Sequence, residues 1–138
     1  MAHIFMLALG GAMGTVARYL ANGWISSRTD LGAVFPVGTM MVNVTGSFVI
    51  GLVAAVGDPA LGRSWLKPEW RDFLMIGVCG GYTTFSSFSM QTLELARDGQ
   101  WLWVGINVAT TNVLCLVAVY LGWVCGRLVQ SKLAGGST

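Results

Sequence analysis

The sequence predicts an all-α membrane protein of four transmembrane helices, with the third helix broken near Gly80-Gly81. Three observations carry that reading. The 138-residue chain is 54% hydrophobic and only 10% charged, against about 25% charged in ordinary soluble domains. Three runs, residues 31–57, 73–93 and 99–126, hold no charge at all, and each exceeds the roughly 20 residues that cross a hydrocarbon core about 30 Å thick. The run at 73–93 also places two adjacent glycines beside a cluster of hydroxyls, Thr83, Thr84, Ser86, Ser87 and Ser89. Lipid offers loosened backbone no hydrogen-bond partner, so such a stretch belongs inside protein or beside a watery path.

The first span covers about residues 4–25 and is interrupted only by Arg18. Its start lacks a positive cluster and its apolar stretch runs past any cleavage site near Ala17, so a retained helix is expected rather than a leader. A short loop with Arg28 and Asp30 follows, and Pro36 suits the first turn of the second span, residues 36–56. The polar loop at 57–68 is rich in turn chemistry: Asp58-Pro59, Gly62-Arg63-Ser64 and Lys67-Pro68. The third span, residues 69–96, ends at a tight turn through Arg97-Asp98-Gly99. The fourth, residues 101–130, leads into a polar tail, 131–138, expected to be flexible. Residues 1–138 therefore read as one four-span membrane domain with no soluble domain beside it. Trp24, Trp65, Trp70, Trp101, Trp103 and Trp123 lie near the proposed span ends, where indoles favour the headgroup region.

An even number of spans puts both termini on one side. That side collects five basic residues, Arg63, Lys67, Arg71, Arg127 and Lys132, against three, Arg18, Arg28 and Arg97, on the other. The bias points to termini in the cytoplasm and is slight enough to allow insertion in either direction. The net charge of +2 is small and unclustered, which argues against a nucleic-acid partner. Cys79, Cys115 and Cys125 lack metal-type spacing and read as small apolar residues. One histidine, His3, makes neither a metal site nor a triad.

The polar residues within the spans are more informative. Thr39, Asn43 and Ser47 recur every four residues and share one helical face. The Asn43 amide serves either an interhelical hydrogen bond or an anion, to which its NH2 offers two donors. Asn107, Thr110, Thr111 and Asn112 repeat the theme in the fourth span, where spacing alone reads as packing and polar glue. Phe85 and Phe88, three apart, project from one face. Such a pair is ordinarily core, but hydroxyls surround these rings, and aromatic edges carry partial positive charge. Gly10 with Gly14, and Gly122 with Gly126, have the spacing of close helix contacts. No Asp or Glu lies inside the second or fourth span, and Glu94 falls near the end of the third. A proton-coupled exporter needs a carboxylate at depth. With hydroxyls, an amide and the lone cation Arg18, the lining favours an anion.

These residues closely resemble the Fluc (CrcB) fluoride channel family. The resemblance rests on Gly38-Thr39-Met40-Met41-Val42-Asn43 with Gly46, on Gly80-Gly81-Tyr82-Thr83-Thr84-Phe85-Ser86-Ser87-Phe88-Ser89, and on Gly10-Gly11, Gly14 and Arg18-Tyr19. It covers essentially the whole chain. It implies an antiparallel homodimer, or a pair of paralogous chains, in the inner membrane of a prokaryote. Two pores would pass fluoride passively out of the cell. It also implies a structural sodium ion at the dimer interface, held by the backbone carbonyls of Gly80 and Thr83. Phe85 and Phe88 would be the pore phenylalanines and Asn43 the polar residue facing them. Thr39, Ser86, Ser87 and Thr111 would extend the polar track, with Arg18 at the vestibule. Three positions depart from the family pattern: Ser87 replaces a commoner threonine, Gln91 stands where many relatives have glutamate, and Asn107 where some have tyrosine. The rival readings are a small proton-coupled multidrug-type antiporter and a non-transporting assembly subunit. An enzyme is not expected, because no nucleophile–base pair can be assembled.

Overall fold

The computed structural model describes residues 1–29, 34–61 and 65–135. Asp30 of the first loop, the Gly62-Arg63-Ser64 turn and the last three residues of the expected tail lie outside the described residues. Among the described residues every regular element is helical. α1 spans Ala2–Ser26, α2 Val37–Val56 and α6 Trp101–Gly135. These three are long and apolar enough to cross a membrane as single rods, α6 over Trp101–Lys132. Between α2 and α6 lies an interrupted segment: α3 (Pro68–Asp72), a π-helical stretch (Phe73–Cys79), α4 (Gly80–Tyr82) and α5 (Phe85–Arg97).

Local chemistry sets the ends of these elements. Pro36 sits at the N-cap of α2, one residue earlier than the first-turn position expected of it, and Pro68 opens α3. At either place the missing N–H has no helical partner to lose. The turn expected at Arg97-Asp98-Gly99 is formed by Gly99, which has φ +72°. The N–H of Gly99 donates to the Ala96 carbonyl at 3.1 Å and that of Gln100 to the Leu95 carbonyl at 2.9 Å, a paired closure of the helix end. α6 runs through Gly135, five residues into the segment expected to be a tail. All three cysteines are free, with Cys79 buried.

The distribution of polarity is inverted relative to a soluble protein. Phe5, Tyr19, Leu20 and Trp24 on α1 and Leu102, Leu116 and Tyr120 on α6 are exposed, whereas Thr39, Asn43, Thr84, Asn107, Thr111 and Gln130 are buried. An apolar exterior costs nothing against lipid, and buried polar groups are tolerated there where they bond to one another.

Two glycine seams hold the bundle. α2 and α6 make the most extensive contact in the molecule. There a Cβ at Gly122 would strike the Phe48 carbonyl oxygen and stand 2.9 Å from its carbon. The other seam joins α1 to the stretch 73–82. A Cβ at Gly81 would meet the Gly11 carbonyl oxygen, and one at Gly14 would meet the Val78 oxygen and lie 2.8 Å from the Tyr82 nitrogen. Backbones that approach this closely gain van der Waals contact without a hydrophobic driving force, which lipid does not supply. Gly122→Val is therefore expected to lower stability by about 1–3 kcal/mol, the usual cost of overpacking. Gly105, whose Cβ would meet nothing within 4 Å, supplies the control Gly105→Ala. Thermal unfolding of the detergent-solubilised protein checks both, and an unshifted midpoint for Gly122→Val would count against a tight seam.

Candidate functional site

The interruption falls at Thr83–Thr84. Gly80, Gly81 and Tyr82 are helical, whereas Thr83 (φ −77°, ψ 156°) and Thr84 (φ −152°, ψ 111°) are extended. The expected break near Gly80-Gly81 thus lies three residues further on. β-Branched threonines accept extended backbone readily, while Gly81 is needed for the contact with α1. The glycine pair marks the seam, and the threonine pair marks the break.

Asn43 holds the break. Its Oδ1 accepts the Thr84 N–H at 2.7 Å, and its Nδ2 donates to the Thr84 carbonyl at 3.0 Å. One side-chain amide thus satisfies both polar groups of a peptide that has left the helix, and both residues are buried. Of Asn43's two N–H donors, one remains. Thr84 then starts the next helix as its N-cap: its Oγ1 accepts the Ser87 N–H at 3.1 Å and donates to Ser87 Oγ at 3.0 Å. Ser86 Oγ lies 3.2 Å from the same hydroxyl. On the other side of the break, the hydroxyl and N–H of Thr83 both donate to the Cys79 carbonyl at 2.9 Å.

These bonds redirect two donors. In an uninterrupted helix the Thr84 N–H would serve the Gly80 carbonyl and the Ser87 N–H the Thr83 carbonyl. The first goes to Asn43 and the second to the Thr84 hydroxyl. A continuous helix would serve the carbonyls of Gly80, Gly81, Tyr82 and Thr83 with the N–H groups of residues 84–87; Gly80 and Thr83 are the two whose donors are bonded elsewhere, and Gly80 is exposed. Backbone carbonyl oxygens are hard ligands of the kind that a hard cation takes. Among the described residues no cluster of His, Cys, Asp or Glu offers an alternative metal site.

Two clefts meet at Thr84. One, of about 310 Å³, is lined by Asn43, Ser47, Thr84, Phe85, Phe88 and Thr111, with Cys115 and Asn112 beside them. The Phe85 and Phe88 rings lie 5.4 Å apart at 43°. Phe88 is buried at 7% exposure and Phe85 is 74% exposed, so one ring is set within this chain and the other projects beyond it. The second cleft, of about 240 Å³, is lined by Arg18, Thr15, Asn22, Thr39, Thr84 and Ser87. Arg18 is the one charged residue in either lining, and among the described residues it has no ion-pair partner. His3 Nε2 and Asp72 Oδ2 lie 3.4 Å apart and join α1 to α3 away from both clefts.

The structure therefore places Asn43, Phe85, Phe88 and Thr111 in one cleft and Arg18, Thr39 and Ser87 in the other. Ser86 lines neither and sits exposed at the start of α5. Thr84, where both clefts meet, was named within the hydroxyl cluster but given no role of its own. Its signal was the Thr-Phe-Ser-Ser pattern, a side-chain oxygen one residue before a helix. Tyr82, whose hydroxyl lies 3.1 Å from Thr45 Oγ1, and Thr15 and Asn22 had no periodic pattern to reveal them. Asn107 is the interhelical glue expected of it: at 1% exposure it donates to Thr92 Oγ1 at 2.9 Å and accepts from Thr111 Oγ1 at 3.3 Å.

Comparison with known proteins identifies the family. Residues 5–123 match the family described as "CrcB-like protein, Camphor Resistance (CrcB)". A protein of Rhodospirillum rubrum named "Fluoride-specific ion channel FluC" is 48% identical over 130 residues, covering 94% of this chain and 98% of its own. Proteins of the same name from Opitutus terrae and Shewanella oneidensis are 52% identical over 116 residues and 42% identical over 133. They cover 84% and 96% of this chain, and 86% and 100% of their own lengths. Matched across most of its length by the family and nearly end to end by these relatives, the chain belongs to the CrcB-like family.

Proposed function

We propose that this protein is a fluoride-selective channel that lets the anion leave the cytoplasm down its electrochemical gradient. The observation that carries the reading is the break at Thr83–Thr84, clamped by Asn43 and bordered by two hydroxyl-lined clefts without a carboxylate. Fluoride is small and strongly hydrated, so its path must replace water with N–H, O–H and ring-edge contacts while releasing the ion readily. The remaining Asn43 donor, the hydroxyls and the phenylalanine edges are groups of that kind. The start of α5 adds the positive end of a 13-residue helix beside them. Arg18 would gather anions at the second cleft. The names of the relatives support the same ion. A proton-coupled antiporter would need a carboxylate at this depth.

The working unit is proposed to be a pair of antiparallel copies, each chain crossing the membrane four times with residues 68–97 as the third crossing. The projecting Phe85 and the Gly80 and Thr83 carbonyls would then meet the second copy, forming two pores and enclosing a structural sodium ion that lends positive charge near the path. The protein would lie in the inner membrane of a bacterium, inserted in both directions or paired with a paralogue.

Fluoride efflux from proteoliposomes, read with a fluoride electrode and with chloride as control, tests the function. Intact reconstituted protein that releases no fluoride would overturn it. Phe85→Ile and Phe88→Ile are each expected to cut fluoride efflux at least tenfold while the dimer still elutes intact from a sizing column; wild-type rates in both would remove the rings from the path. Asn43→Ala strands the buried Thr84 N–H and C=O and is expected to cost about 1–3 kcal/mol of stability and most of the flux. A variant as stable as wild type would show that the clamp contributes nothing. Prolonged dialysis of unfolded and refolded protein into sodium-free buffer is expected to lower the melting temperature, with recovery when sodium is restored. An identical melt with and without sodium would exclude the ion.

A further inference from the structure

The hydrogen bonds around Asn107 form a chain whose direction is set from one end. The Thr92 hydroxyl donates to the Phe88 carbonyl at 2.7 Å, and a carbonyl can only accept. The single Thr92 proton is thereby used, so Thr92 Oγ1 must accept from its next neighbour, Asn107 Nδ2, at 2.9 Å. That fixes the amide with its oxygen toward Thr111, whose hydroxyl donates to Asn107 Oδ1 at 3.3 Å. The last bond is the long one. Thr111 also lines the cleft shared by Asn43 and Phe88. Its proton, the part of Thr111 that would attract an anion, therefore points to Asn107 and away from the cleft at rest.

We propose that Asn107 and Thr92 are positioning residues that hold the Thr111 proton on an internal acceptor, so that an anion in the cleft must compete for it. The inference rests on the channel reading. A proton shared between Asn107 and the ion weakens the ion's hold, and a conducting site needs binding weak enough for release. Asn107 is fully enclosed at 1% exposure and itself lines neither cleft, so it acts through Thr111 rather than on the ion.

Thr92→Val tests this without touching a cleft residue. It removes the acceptor that orients the amide, which can then turn its NH2 toward Thr111 and release the hydroxyl proton to the cleft. Initial fluoride flux in proteoliposomes, measured against fluoride concentration, is expected to show half-saturation at about threefold to tenfold lower fluoride, the worth of one neutral hydrogen bond. Maximal flux should fall as release slows. Asn107→Leu, which removes the internal acceptor outright, should move half-saturation in the same direction, and Thr111→Val should abolish the effect of either. Half-saturation unchanged or raised in Thr92→Val, loss of flux from a normally assembled variant, or failure of both variants to assemble would each assign these residues a packing role and overturn the proposal. Absence of flux from the wild type would instead overturn the channel reading.

Discussion

An amide that pairs with a peptide group is the constraint on which the centre of this protein depends. Lipid cannot hydrate backbone that leaves a helix, and an unsatisfied group at that depth costs several kcal/mol. Asn43 meets the requirement at Thr84 with one acceptor and one donor. The chain is then free to end one helix and begin another within the membrane-facing segment, and partners are displaced in turn. The Thr84 N–H taken by Asn43 is lost to Gly80, and the Ser87 N–H taken by the Thr84 cap is lost to Thr83. Carbonyls without helical donors, a fresh helix N-terminus at Phe85 and two clefts that meet at Thr84 all arise from this one pairing.

That pairing holds only if α2, the break and α1 keep their places, and the glycines see to it. Gly14 and Gly81 bring α1 onto the backbone of residues 73–82, and Gly122 brings α6 onto α2. Gly46, next to the clamp on α2, is closed over by the methyl of Thr83 and the ring of Tyr82, 3.1 Å from where a Cβ would stand. Side chains at these positions would push the segments apart by more than a hydrogen bond tolerates. The apolar exterior and the polar interior are thus linked: small residues at the seams let the backbones approach closely enough for a single asparagine to span them.

Much of this was legible in the sequence because lipid imposes strong rules. Charge-free runs, terminal tryptophans and proline and glycine at element ends located α1, α2, α6 and the turn at Gly99. The interrupted segment was recognisable by its hydroxyls, but its break was placed at Gly80-Gly81, since glycine signals both loose backbone and close contact and sequence does not separate the two. Here contact prevails at Gly81, and the β-branched pair beyond it takes the extended conformation. At the clefts, Asn43 and Ser47 share a helical face and one cleft with Phe85 and Phe88, whereas Thr39, on the same face of α2, lines the other. The role of Thr84 was missed because it comes from a partner 41 residues away, a relation that local periodicity does not contain. The helical continuation to Gly135 was hidden by the polarity of the residues after Gln130, which reads as a tail although lysine and alanine are good helix formers.

The arrangement of protons bears on which ion such a path would pass. Five hydroxyls near the break are already engaged: Thr83 with the Cys79 carbonyl, Thr84 with Ser87, Ser89 with the Phe85 carbonyl, Thr92 with the Phe88 carbonyl and Thr111 with Asn107. Each of these internal bonds lowers the cost of keeping the path polar inside a membrane. An entering anion must draw protons away from internal acceptors, and its ability to do so rises with its charge density. On the proposed reading, fluoride, the smallest halide, competes with these oxygens on the best terms. Larger halides gain less from each proton and still bear the cost of redirecting it. Selectivity would then come from competition as well as from bore, and the same competition would return the protons when the ion moves on.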